Sequence, residues 1–199
     1  DKFFNTNYTA SWFLVRGSVV LNESGNISNP QNLEGREALK STRCTLGPLQ
    51  LDVLDATEIP LTTIPLLGCG ASAGFSRQDI GEIPTGTPVA YPMTAGPVLK
   101  TTMNPPQFSS GTPMGGPKGW WATWEHKCLQ DYRSFAPVHN NKCNILFADG
   151  SVRSIVDQNN DDFLNNGFPA NPNTGFSSET IEIPEKVIYS KWEIRDQIF

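Results

Sequence analysis

Between Pro60 and Gly119 the chain carries ten prolines and ten glycines in sixty residues, so this stretch cannot be a continuous helix or a single regular sheet. Proline has no N–H to donate, and glycine gives up the most backbone freedom when it is ordered. The segment therefore predicts turns and a long irregular excursion. Structureless loops beyond about 15 residues are uncommon in compact domains, so the excursion is expected either to wrap the surface and touch a neighbour or to stand as a mobile insert. The chain as a whole is apolar enough for a core, at 38% hydrophobic and 10% aromatic residues, which argues against wholesale disorder. A single domain over residues 1–199 is the expectation.

Charge narrows the function classes. The formal net charge is −5, and the 15 Lys and Arg are scattered singly, so no basic stripe marks a nucleic-acid partner. No apolar run of roughly 18 residues marks a membrane span, and the start at Asp1-Lys2 leaves any leader or anchor to an upstream segment. Cys44, Cys69, Cys128 and Cys143 show no C-x-x-C spacing, which excludes a zinc ribbon. An even count in a Gly- and Pro-rich chain favours two disulfides and an oxidising compartment, with four buried thiols as the alternative. The expected pairs are the nearest in each half, Cys44–Cys69 and Cys128–Cys143.

Local pattern gives several elements. Tyr8 to Leu21 is rich in β-branched and aromatic types and is broken by Gly17, which predicts two strands or one bulged strand. Leu49 to Leu54 alternates like a half-buried strand. Trp121, Trp124, Cys128, Tyr132 and Phe135 recur at helical spacing, which predicts a short amphipathic helix with its aromatic stripe facing the core. A sugar-binding platform using Trp120, Trp121 and Trp124 is the alternative. The tail, Glu179–Pro184 and Lys186–Ser190, alternates like an edge strand interrupted by Pro184.

The strongest local signal is the run Asn144–Ala148, then Asp149-Gly150, then Ser151–Val156. Two β-rich runs joined by Asp-Gly predict a tight hairpin with a type I′ turn, which needs positive φ at both central residues. His139 precedes Asp149 with nine residues between them. A hydrogen-bonded histidine bracing this loop, a metal ligand, or half of an acid–base pair with Ser151 or Ser154 are its possible roles. No Gly-x-Ser-x-Gly elbow accompanies it, so no catalytic residue is assigned and the chain is read as non-enzymatic.

The segment Val138-His139-Asn140-Asn141-Lys142-Cys143-Asn144-Ile145-Leu146-Phe147-Ala148-Asp149-Gly150 resembles the C-terminal signature of bacterial prepilin-like proteins with a His-x9-Asp-Gly domain. Leu129–Arg133, Leu66-Leu67-Gly68 and Asn5–Tyr8 with Trp12 also look familial. The resemblance implies a β-rich α+β fold, a pilin-like or type II secretion pseudopilin-like head on an antiparallel sheet with long irregular loops. It also implies a hydrophobic N-terminal helix, which this sequence does not contain. By the same resemblance the chain is expected outside the cell or at its surface. It is expected to assemble with itself or with other pilin-like subunits, and to meet a membrane only through an upstream helix.

After the hairpin, Asp157, Asn159 and Asp161 place oxygen side chains at positions 1, 3 and 5 of an EF-like loop, with the Phe163 carbonyl at 7 and Asn165 at 9. Calcium, which takes six to eight oxygens, is the expected cofactor, and a polar turn is the alternative. Asp162 stands where such loops carry Gly, and Phe168 where they carry a bidentate Glu, so a full shell must borrow a ligand from elsewhere. The resulting expectation is a calcium-stabilised structural subunit, with an extracellular glycan-binding module as the alternative.

Overall fold

A computed structural model describes residues 7–28, 32–33, 35–107 and 117–194. The fold is β-rich α+β, with antiparallel sheets and short helices. The main sheet has four antiparallel strands: β1 (Tyr8–Ala10), β2 (Pro65–Cys69), β7 (Lys142–Phe147) and β8 (Val152–Val156), in the order β1-β2-β7-β8. Two smaller ladders flank it. β3 (Ser72–Phe75) pairs with β4 (Pro88–Ala90), and β5 (Pro97–Leu99) pairs with β6 (Cys128–Gln130).

The Gly/Pro-rich segment is therefore less irregular than its composition suggests, because it supplies an interior strand of the main sheet and one strand or more of each small ladder. Its prolines sit where a missing N–H does least harm. Pro65, Pro88 and Pro97 each open a strand, and Pro117 opens the helix α4 (Pro117–Lys127). Residues 108–116 of the segment, and Asn5 and Thr6 of the resemblance, lie outside the described residues.

Two of the expected strands are helices. Trp12–Arg16 forms α1, begun by the Ser11 side chain accepting from the Leu14 N–H at 3.1 Å and ended by Gly17 at φ 64°. Tertiary burial overrides β-propensity here: Trp12 and Phe13 are fully buried, and the Trp12 indole donates to the Leu39 carbonyl at 2.8 Å. Arg36–Lys40 forms α2, and Leu51–Ala56 forms α3 where a strand was expected. Leu49 and Val53, four residues apart, with Leu54, lean on the core, while Leu51 stays 77% exposed. The tail 179–190 is not a strand either. It turns at Pro184, whose carbonyl accepts from the Val187 and Ile188 N–H groups, and it buries Ile183 and Ile188.

The aromatic stripe is split. α4 ends at Lys127, so Trp121 and Trp124 are helical, Cys128 opens β6, and Tyr132 and Phe135 follow in a turn with their rings stacked at 5.5 Å. Helical spacing across a helix–strand junction is a coincidence of burial, because Cys128, Tyr132 and Phe135 are all core residues.

Two apolar clusters form the core. One joins Trp12, Phe13, Leu39, Trp124 and Trp192 with Cys44 and Cys128. The other lies under the main sheet and holds Cys69, Tyr132, Phe135, Cys143, Ile145, Phe147, Leu164, Ile183 and Ile188. Phe135 reaches the sheet backbone at Gly68, where an added Cβ would lie 2.5 Å from the Phe135 ring. Gly68→Ala is expected to cost about 1–3 kcal/mol by overpacking, read as a lower urea midpoint. An unchanged midpoint would show that the ring can withdraw.

Candidate functional site

The signature folds around β7. Its side chains alternate strictly: Cys143, Ile145 and Phe147 are buried, whereas Lys142 is exposed and Asn144 and Leu146 are partly so. β8 pairs with it from Leu146–Val152 to Lys142–Val156. The Asp149-Gly150 hairpin is present with a different turn from the one expected. The Gly150 N–H donates to the Phe147 carbonyl at 3.0 Å and the Phe147 N–H to the Ser151 carbonyl at 2.9 Å, with Gly150 alone at positive φ, 84°. This is a turn over Ala148-Asp149 closed by a glycine bulge. Asp149 Oδ1 accepts from the Ser151 N–H and hydroxyl at 3.0 and 2.7 Å, and these bonds hold its carboxyl below the usual range.

The type I′ geometry occurs at the other end of the strand. Asn140 and Asn141 have φ of 50° and 62°, and the His139 and Lys142 backbones exchange N–H···O bonds of 3.1 Å. His139 thus frames a tight turn through its backbone. Its imidazole is exposed beside Tyr8, Cys69 and Val138 in a surface cleft. Ser154 is bound to Asn144 across the ladder and Ser151 to Asp149, so neither hydroxyl is directed at His139 by these bonds.

Asn141 carries more of the local structure than its sequence context indicated. Its side-chain amide donates to the Asp157 carbonyl and to Asn160 Oδ1 at 2.8 Å, and its own carbonyl accepts from the Asp157 N–H at 3.0 Å. The turn before β7 is therefore laced to the acidic loop after β8. That loop is well formed. Asp157, fully buried, takes the Asn159 and Asn160 N–H groups on Oδ1 at 3.2 and 2.8 Å and the Asp162 N–H on Oδ2 at 2.9 Å. Asn160 and Asp162 hold positive φ of 58° and 67°, so Asp162 adopts the conformation for which Gly is usual at position 6.

The remaining expected ligands divide. Asp161 Oδ1 accepts from Phe163 N–H, and Oδ2 from Ser177 and from Asn159 Nδ2. Phe163 packs edge-on against Phe176 at 5.9 Å. Asn165 is a turn residue: buried, with Oδ1 taken by the Gly167 and Phe168 N–H groups at 2.8 Å each. Phe168, at position 12, is core.

The residue that sequence spacing missed is Glu182. It is 7% exposed, its Oε2 accepts from the Asn165 N–H at 2.9 Å, and its Oε1 is buried without a hydrogen-bond partner. Burial foremost, and then the negative charges of Asp161 and Asp157, push its carboxyl above the usual range. Among the described residues no three His, Cys, Asp or Glu converge closely enough to hold a metal by themselves. Any cation here would draw on the Asn159 amide oxygen and the Phe163 carbonyl as well as on carboxylates.

All four cysteines are buried and unbridged in this structure, and their clusters differ from the expected pairs: Cys44 lies with Cys128, and Cys69 with Cys143. Cys44–Cys69 and Cys128–Cys143 would each bridge two separate clusters. Of the three tryptophans proposed as a platform, Trp124 is fully buried and donates its indole N–H to the Gly25 carbonyl at 2.8 Å. Trp120 packs on Trp121 and Trp192 with ring centres 6.0 and 6.3 Å apart.

A family profile described as "Protein of unknown function (DUF1559)" matches residues 25–162, which takes in the His139 turn, the hairpin and the first half of the acidic loop. The chain belongs to the DUF1559 family. No curated protein and no solved structure matches this DUF1559 chain. Among its described residues no helix is long and apolar enough to cross a membrane.

The lacing of turn to loop can be tested at one position. Asn141→Gly keeps the positive φ and loses the side-chain bonds, whereas Asn141→Ala loses both. The alanine variant is expected to be less stable than wild type by about 2–3 kcal/mol and the glycine variant by about 1–2, measured by urea unfolding. Equal losses would remove the backbone part of the argument.

Proposed function

We propose that this DUF1559 chain is the head of an exported pilin-like or pseudopilin-like subunit that assembles through its own copies or related subunits and is stabilised by calcium. The observation that carries the reading is the signature hairpin at the rim of the main sheet. β8 is the end strand of that sheet and shows Val152 and Val156 to solvent at 63% and 44% exposure, next in the fold to the acidic loop. An exposed apolar edge strand is a template for pairing with another chain. The resemblance of His139-x9-Asp149-Gly150 to prepilin-like proteins supplies the kind of assembly.

Two features support calcium in the acidic loop: the αL positions of Asn160 and Asp162, and the unpartnered Glu182 Oε1. The group would supply stability and no chemistry: a cation offsets the repulsion among Asp157, Asp161 and Glu182. A ligand that binds only the folded state at a hundred times its Kd adds about 2.7 kcal/mol. Several millimolar CaCl₂ is therefore expected to raise the melting temperature relative to EDTA. Asp157→Ala with Asp161→Ala should abolish the increment, and Glu182→Gln should reduce it. A wild-type midpoint indifferent to chelation would withdraw calcium and leave a polar turn.

Assembly is tested on the whole gene product. A basic leader and an apolar helix of about 20 residues are expected upstream, and the protein should sediment in high-mass fractions. Val152→Lys with Val156→Lys is expected to shift it toward the single subunit. An assembly untouched by both substitutions would remove β8 from the interface, and an upstream segment of another kind would remove the pilin-like reading.

A further inference from the structure

We propose that Cys69 and Cys143 are the two halves of a disulfide that closes as the chain folds under oxidising conditions and clamps β2 to β7. Both belong to the cluster beneath the main sheet, 2% and 0% exposed. The contacts between them are reciprocal. Cys143 Sγ donates to the Cys69 carbonyl at 3.7 Å, and the Asn144 N–H, next in the chain to Cys143, donates to Cys69 Sγ at 3.3 Å. Each sulfur therefore lies against the other residue's own stretch of backbone. Continued beyond Gly68–Ile145, the register would set Cys69 opposite Asn144, facing away from Cys143. At Cys69 the chain instead exchanges β7 for the segment at Phe135, with the Ala136 N–H bonded to the Cys69 carbonyl and the Ala71 N–H to the Ser134 carbonyl, while it stays beside β1 through the Gly70 N–H and the Asn7 carbonyl.

The alternatives are poorer. Cys44 and Cys128 sit in the other cluster, and a disulfide requires Cβ atoms about 3.5–4.5 Å apart. Joining either of them to Cys69 or Cys143 would unpack one core to reach the other. Timing follows from burial, which foremost, with Cys69 beside it, pushes the Cys143 thiol up to about 12. Thiolate is the attacking species in exchange, so a reduced, folded pair reacts slowly and the bond forms before the core closes. In that step each thiol gives up one proton and one electron and the S–S bond forms. A disulfide oxidant, either oxidised glutathione or a disulfide-bearing oxidoreductase, takes up both protons and both electrons and becomes two thiols.

The test is refolding of the denatured, reduced chain in a reduced/oxidised glutathione buffer, alkylation of the remaining thiols, and peptide mapping. A cross-link between the Cys69 and Cys143 peptides is expected. Cys44→Ser with Cys128→Ser should still lose both of its thiols, and its melting temperature should fall by on the order of 10 °C when dithiothreitol is added. Cys69→Ser with Cys143→Ser should show no such fall. Cys69 found linked to Cys44 or Cys128 would overturn the assignment, as would two thiols left alkylatable in the refolded Cys44→Ser, Cys128→Ser variant. The wild-type map decides even if a variant fails to fold, and neither result bears on the calcium response.

Discussion

Strand β7 is hydrogen-bonded along both edges, to β2 on one side and to β8 on the other, and it drives three consecutive alternate side chains, Cys143, Ile145 and Phe147, into one cluster. A strand paired on both sides has its register fixed twice, and a slip of one residue would turn those side chains to the opposite face. The surrounding features depend on that register. The Arg153 guanidinium lies 3.5 Å from the centre of the Phe147 ring and donates to the Thr62 and Val187 carbonyls. One side chain on β8 therefore ties the 3-10 turn before β2 and the C-terminal turn to the sheet, and it can do so only while β8 is in register with β7.

The parts of this arrangement that were legible in the sequence are those set by neighbours along the chain. The β7–β8 hairpin was visible because two β-rich runs flank Asp149-Gly150. Its turn type was not, because choosing a bulged turn over a two-residue one depends on where the ladder bonds begin, here at Phe147 and Ser151. Asn140-Asn141 carries the same αL signal but no β-rich run on one side, where the short segment at His139 lies. Trp12 to Arg16 read as a strand because Trp, Phe and Val favour strands in isolation. Ser11 and Gly17 bracketed it as a helix, and the burial of Trp12 against Leu39 decided the matter.

At the acidic loop, spacing singled out Asp157, Asn159, Asp161, Phe163 and Asn165 because an EF-like loop is a local pattern of alternate residues. In the structure the Asn165 side-chain oxygen caps the Gly167-Phe168 turn. Glu182 could not be found this way. It meets the loop through the Asn165 N–H, 17 residues away in sequence, and the signal that singles it out is the buried, unpartnered Oε1. The structure places the members of each expected cysteine pair in different clusters, for a related reason. Sequence nearness favoured Cys128 with Cys143, but Cys128 follows a helix into one core cluster while Cys143 lies on the strand that floors the other.

The segment after β8 shows how a chain with so little regular structure satisfies its backbone. From Asp157 to Ile194 no helix or strand forms, yet Leu164, Ile183 and Ile188 are fully buried. The asparagines take over the work of a ladder. Asn171 Oδ1 accepts from the Asn173 and Thr174 N–H groups, and Asn166 donates to the Gln130 carbonyl and to Ser190. Local side-chain bonds such as those of Asn171 set turns and carry no register, whereas those of Asn166 span 36 and 24 residues. The segment's place over the core comes from bonds to paired elements, among them the Gln130 N–H to the Ser190 carbonyl, the Tyr189 N–H to the Thr63 carbonyl, the Tyr132 hydroxyl to the Tyr189 carbonyl at 2.5 Å, and the Arg153 guanidinium to the Val187 carbonyl. The tail therefore docks on β6 and on the turn before β2. The tail is in this sense a cover whose fit reports on the sheets beneath it, and the alternation that made it resemble an edge strand reflects the burial of Ile183 and Ile188 on either side of Pro184.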